Sequence, residues 1–82
     1  MFTKGFTVCF SALDLLRINE KGIITHFRNN DEATINKIMA MGIIPGFPIT
    51  LEQHFPYFVV KVGQTRLTIE REIARSIYVR II

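Results

Sequence analysis

From Ile49 to Ile81 the chain alternates apolar and polar residues along one short run after another, with turn-forming residues between the runs. Ile49 and Leu51 alternate with Thr50, Glu52 and His54; Phe58, Val60 and Val62 lie on one face with Lys61 on the other. Leu67 and Ile69 alternate with Arg66 and Thr68, and Ile77, Val79 and Ile81 share the inward face of "IYVRII". A period of two sends successive side chains to opposite faces, so each run reads as a half-buried strand. The segment "VGQT" joins two of them in a tight hairpin, and "EREIARS" inserts a short helical turn around Ile73 and Ala74. Short strands with one apolar face must find a second surface on which to bury it, and that requirement limits the architectures open to the chain.

The amino-terminal half supplies that second surface. Phe6, Val8 and Phe10 alternate as a strand; Ser11, with Asp14 three residues on, reads as an N-cap for a short helix through Leu15 and Leu16. Asn19 and Gly22 tolerate positive φ and predict a turn that feeds the strand "IITHF". Asn30 or Asp31 then caps the clearest helix, whose Ile35, Ile38, Met39 and Gly42 fall at helical spacing while Glu32, Asn36 and Lys37 face water. In "MAMGIIPGFPI", residues 39 to 49, Gly42 stops that helix as its C′ residue and lets Ile43 fold back over the last turn. Pro45 and Gly46 follow as a type II turn that redirects the chain at Phe47. The sum is a mainly β domain of about five strands with two or three short helices. In 82 residues such a sheet buries enough surface only by curling on itself, which predicts a small SH3-like β-barrel over residues 8–82 behind a tail at 1–7.

Composition removes several classes of function. With 49% hydrophobic residues the chain is no disordered segment, yet no window reaches the roughly 20 apolar residues of a membrane-spanning helix. Asp14 closely follows the first apolar residues and no cleavage pattern follows them, so neither a signal peptide nor membrane insertion is expected. The single Cys9 has no partner for an internal disulfide, which fits a reducing, cytoplasmic compartment. The charge of +3 is spread from Lys4 to Arg80 without a run, and the phenylalanines sit in strand alternations where packing explains them, so no nucleic-acid partner is expected. No enzyme is expected either: His26 and His54 fall in different predicted strands, no nucleophile has a base placed beside it, and Glu70 and Glu72 read as a solvated turn. No cofactor is called for beyond a weak transition metal. Cys9, Asp31, Glu32, His26 and His54 are each able to ligate one, but none has the spacing of a structural site; His26 and His54 stand as the candidate ligands, shared between molecules. Met39 and Met41 read as packing. The loop "HFPYF" has two readings: a segment that folds back over the open barrel end, or an exposed anchor that lines one partner groove with Phe47.

Three segments, "LDLLRINEKGII", "INKIMAMGIIPGFPITL" and "YFVVKVGQTRLTIEREIARSIYV", resemble the ferrous iron transport protein A family (FeoA-like domain), and the resemblance runs from about Val8 onward. Met41, Gly42, Pro45 and Gly46 match the family's methionine-glycine and proline-glycine corner, supported by Ala74 and Ile77; Asn19 stands where the family usually has glycine and Lys37 where it has arginine. The same domain resembles the carboxy-terminal module of iron- and manganese-dependent repressors, without a preceding helix-turn-helix. The resemblance implies a cytoplasmic accessory protein of ferrous iron uptake that binds the cytoplasmic GTP-binding part of the ferrous iron permease. Expected contact residues are Met41, Ile44, Pro45, Phe47, Phe55 and Tyr57, with Gly42 and Gly46 as the structural corner. The alternative is a stand-alone metal-sensing module related to the repressor domain. Homo-oligomer formation and the direction of any regulation stay open.

Overall fold

The computed structural model describes residues 10–82; the expectations for the 1–7 tail, for Phe6 and Val8, and for Cys9 lie outside the described residues. In chain order the elements are β1 (Phe10–Ala12), a 3₁₀ turn (Leu13–Leu15), β2 (Lys21–Phe27), α1 (Glu32–Ala40), β3 (Pro48–Gln53), β4 (Phe58–Val62), β5 (Thr65–Ile69), α2 (Arg71–Ser76) and β6 (Ile77–Ile81). The strands form one antiparallel sheet in the order β1-β6-β2-β3-β4-β5. The architecture is the expected mainly β, SH3-like one, with six strands where about five were expected. The ladder does not close: among the described residues β1 is bonded to β6 and β5 to β4, with no pairing between the two edges. The inner face carries Ile24, Ile49, Leu51, Val60, Ile77 and Val79, and Leu13, Ile38, Ile43 and Ala74 from the turn, the helices and the corner complete one core.

Local chemistry accounts for the elements that position the site. Asp31 caps α1, its carboxylate accepting from the Ala33 N–H at 3.1 Å and from the Thr34 hydroxyl at 2.8 Å. The helix ends in a Schellman motif. The Gly42 N–H donates to Met39 O at 3.0 Å, the Ile43 N–H to Ile38 O at 3.4 Å, and Gly42 takes φ +95°. Ile38 and Ile43, the residues that this motif brings together, are both fully buried. At the next turn the Phe47 N–H donates to Ile44 O at 3.0 Å and Gly46 takes φ +97°, as a type II turn requires. The corner is also fastened to β2: the Gly46 N–H donates to Ile24 O at 2.7 Å and the Ile24 N–H to Phe47 O at 2.9 Å.

Several local expectations are corrected. Ser11 lies in β1 and caps nothing; Ala12 precedes the 3₁₀ turn without a side-chain cap, because Ser11 is committed to pairing with β6. Leu15, expected in a short helix, is exposed on that turn while Leu16 is buried. Asn19 takes the expected positive φ of 70°, but Gly22 belongs to the interior of β2, opposite Ile49. Met39 faces solvent, since a helix that buries Ile38 turns the next residue about 100° away. Ile81 is also exposed, at the far end of β6 where the core has run out.

Candidate functional site

The corner and the β4–β5 hairpin build a groove together. Ile49 pairs with Val62, so the start of β3 lies beside the end of β4, and the tight turn at Gly63 and Gln64 is held next to Phe47. Gly63 takes φ +62° at the first loop position, which a hairpin this short needs. The resulting groove, of about 320 Å³, is lined by Met41, Gly42, Phe47 and hairpin residues 62–65. A smaller hollow of about 190 Å³ lies on the other side of Met41, between Lys37 on α1 and Ile69, Glu70 and Ile73 on the β5–α2 side. Met41 is therefore a shared wall. Its partly buried side chain packs on the core, whereas Phe47 remains 47% exposed. The bonded turns on either side hold both residues in place, so presenting them to a partner costs little ordering entropy.

Of the residues expected from sequence, Met41, Gly42 and Phe47 meet in the groove. Ile44 and Pro45 are exposed on the same corner, outside its lining, and Gly46 serves the turn. Phe55 and Tyr57 are placed elsewhere. They are exposed on the loop between β3 and β4, at the opposite end of β3 from Phe47, roughly 20 Å away along an extended strand. The expectation that Phe47 and "HFPYF" line one groove is thereby corrected, and the exposure of Phe55 and Tyr57 shows that they do not fold back over the core. The hairpin, residues 62–65, was missed as a site. A signal for it existed: the short 54–57 loop forces β3 and β4 into antiparallel pairing, which brings the next turn back to Phe47.

His26 and His54 do not converge. His26 packs edge-on to Phe10 and stacks on Tyr78 with ring centroids 5.2 Å apart, and its Nδ1 is 2.9 Å from the Thr25 hydroxyl. The Arg28 guanidinium covers the Tyr78 ring, which extends this surface ladder. His54 is exposed on the β3–β4 loop. The pairing of Lys21 with Thr50 and of Ile23 with Pro48 puts the two histidines at opposite ends of the β2–β3 pair, roughly 20 Å or more apart. Among the described residues no three His, Cys, Asp or Glu side chains gather in one place.

Residues 12–81 match the family model of the FeoA domain. The chain belongs to the FeoA domain family. A curated relative of this FeoA chain, from Leptolyngbya boryana and named Fe(2+) transport protein A, is 31% identical over 78 residues, 94% of this chain and 95% of the relative. The crystal structure of an iron uptake regulatory protein (FeoA) superposes with a TM-score of 0.82 at 24% identity, covering 90% of this chain and 100% of the other. A manganese-dependent transcriptional repressor superposes equally well, TM-score 0.82, at 15% identity, over 93% of this chain and 44% of the repressor. At these identities the two structures share the fold with this FeoA chain. Among the described residues no helix is long and apolar enough to cross a membrane.

Proposed function

We propose that the chain serves ferrous iron transport as a non-enzymatic accessory protein, docking on the cytoplasmic GTP-binding domain of the ferrous iron permease. The observation that carries this reading is the apolar groove on the rigid corner, where Met41 and Phe47 face the β4–β5 hairpin. The name of the Leptolyngbya boryana relative supports the transport role. A groove that prefers one nucleotide state of its partner shifts that partner's equilibrium by the difference in the two affinities, and this is the mechanism we assign to it. The test is calorimetric titration of the permease GTP-binding domain with the chain, in the nucleotide-free, GDP-bound and GTP-bound states. Saturable binding that differs between states is expected, and absence of binding in all three overturns the proposal. The repressor likeness is one of fold, and it adds no second reading.

A further inference from the structure

The outer face of the sheet beside the groove carries an unusual row. Lys21 pairs with Thr50, Thr50 with Lys61, and Lys61 with Arg66, so four residues run side by side across β2, β3, β4 and β5. Their neighbours Gly22, Ile49 and Val62 are buried, which turns the row itself outward. Strands lie about 4.8 Å apart, so Lys21 and Lys61 flank the Thr50 hydroxyl at about 10 Å from each other. A shallow hollow of about 280 Å³ lies over them, lined by Lys21, Pro48, Thr50, Glu52, Lys61 and Gly63.

Charge in this hollow is unbalanced. Glu52 is committed to Arg66, whose Nε donates to its carboxylate at 2.7 Å. Among the described residues no carboxylate lies within ion-pair distance of Lys21 or Lys61. Lys61 moreover sits directly opposite Arg66, and like charges at that position work against the sheet. The hollow adjoins the groove, since Gly63 lines both and Pro48 follows Phe47 in the chain.

We propose that Lys21, Thr50 and Lys61 receive acidic side chains of the protein segment docked in the groove. That segment then carries an apolar anchor for Met41 and Phe47, flanked by Asp or Glu. This deepens the proposed function and rests on its assignment of the groove as a docking site. Among the described residues this hollow offers two cations without an ion pair, few for an anionic membrane or a nucleic acid, whose binding grows with the number of basic contacts. They suffice beside an apolar anchor, where complementary charge adds encounter rate and register.

The test uses the full chain and two fluorescein-labelled synthetic peptides, each with a central Phe-Leu pair, flanked by glutamates in one and by glutamines in the other. In fluorescence anisotropy at about 50 mM salt the Glu peptide binds about tenfold more tightly than the Gln peptide, and the preference fades at about 500 mM as screening shortens the reach of the charges. In the double variant K21E/K61E the preference is gone. Equal affinity for the two peptides, or a preference that survives the double variant, overturns the inference. So does binding of phosphatidylglycerol vesicles or of an oligothymidylate that depends on both lysines and is tighter than that of the Glu peptide. Lys61→Glu places a carboxylate opposite Arg66, so the variant is expected to melt no lower than the parent; if it melts lower, K21Q/K61Q gives the same readout. The permease domain separates the two claims. If it does not bind the parent, the docking reading falls and the peptides still decide the acidic segment; if it binds parent and K21E/K61E alike, the inference falls and the docking reading stands.

Discussion

Gly22 and Gly42 both disfavour a side chain, for different physical reasons. A Cβ on Gly42 meets nothing within 4 Å, so the constraint there is the backbone, held at φ +95°. Gly42→Ala should cost about 1 kcal/mol, Gly42→Val somewhat more and Gly42→Asn less, because asparagine enters the left-handed region more readily. A Cβ on Gly22 instead lies 2.9 Å from both Cβ and Cγ2 of Val79 and 3.1 Å from the Arg80 carbonyl oxygen. Gly22→Ala should therefore cost about 1–3 kcal/mol by overpacking. Val79→Ala removes Cγ2 but keeps Cβ and empties a fully buried site, so it should destabilise on its own, and the double variant should lose less than the two single losses together; urea denaturation of the single and double variants reads both effects. Gly42 was legible in the sequence because its reason is local, a helical stripe before it and Pro45-Gly46 after it. From sequence alone Gly22 reads as a turn residue, because what requires glycine there is Val79, a residue far along the chain that no local pattern announces. The histidines show the same limit: only the strand register reveals how far apart they lie. Replacing His26 and His54 together by Gln should leave the affinity for Fe(II), Mn(II) and Zn(II) unaltered in calorimetry, and loss of a stoichiometric site in that variant speaks for metal sensing.

The capping residues separate what an element can decide for itself from what the sheet decides for it. Asp31 precedes a helix of nine residues, and its carboxylate satisfies one of the free backbone donors of the first turn. Asp31→Ala should lower stability by about 1 kcal/mol, measured by thermal and urea unfolding, with the groove unaffected. Ser11 carries a similar signature in sequence, yet the edge of β6 claims its backbone first, and only a three-residue turn follows. The hairpin and the corner belong with Asp31: Gly63, Gly42 and Gly46 all take the positive φ that their neighbours in sequence demand. How those two elements sit relative to each other is set by β3 and β4, whose pairing carries the hairpin to Phe47 and the 54–57 loop away from it. Two apolar segments that flank one strand are close in sequence, and the strand between them keeps them apart in space. That is why four of the six expected contact residues gather at the corner while Phe55 and Tyr57 do not.

At the scale of the whole molecule, that separation makes the docking reading sharply testable. One segment seated between the corner and the hairpin touches Phe47 and does not reach Tyr57, which lies roughly 20 Å away. Phe47→Ala should weaken binding of the permease GTP-binding domain by about 1–3 kcal/mol, as truncation of an anchor does. Because Phe47 is 47% exposed, its removal takes little from the core, and the variant should melt close to the parent. Tyr57→Ala, at a more exposed site, should change the affinity by no more than about 0.5 kcal/mol. Calorimetry on both variants, with melting curves beside it, separates two geometries of contact. If Phe47→Ala alone weakens the complex, the partner sits in the groove, and the lysine row next to it is in reach of its flanks. If Tyr57→Ala weakens it as much, with both proteins melting like the parent, the partner lies along the full length of β3 and contacts a broad face.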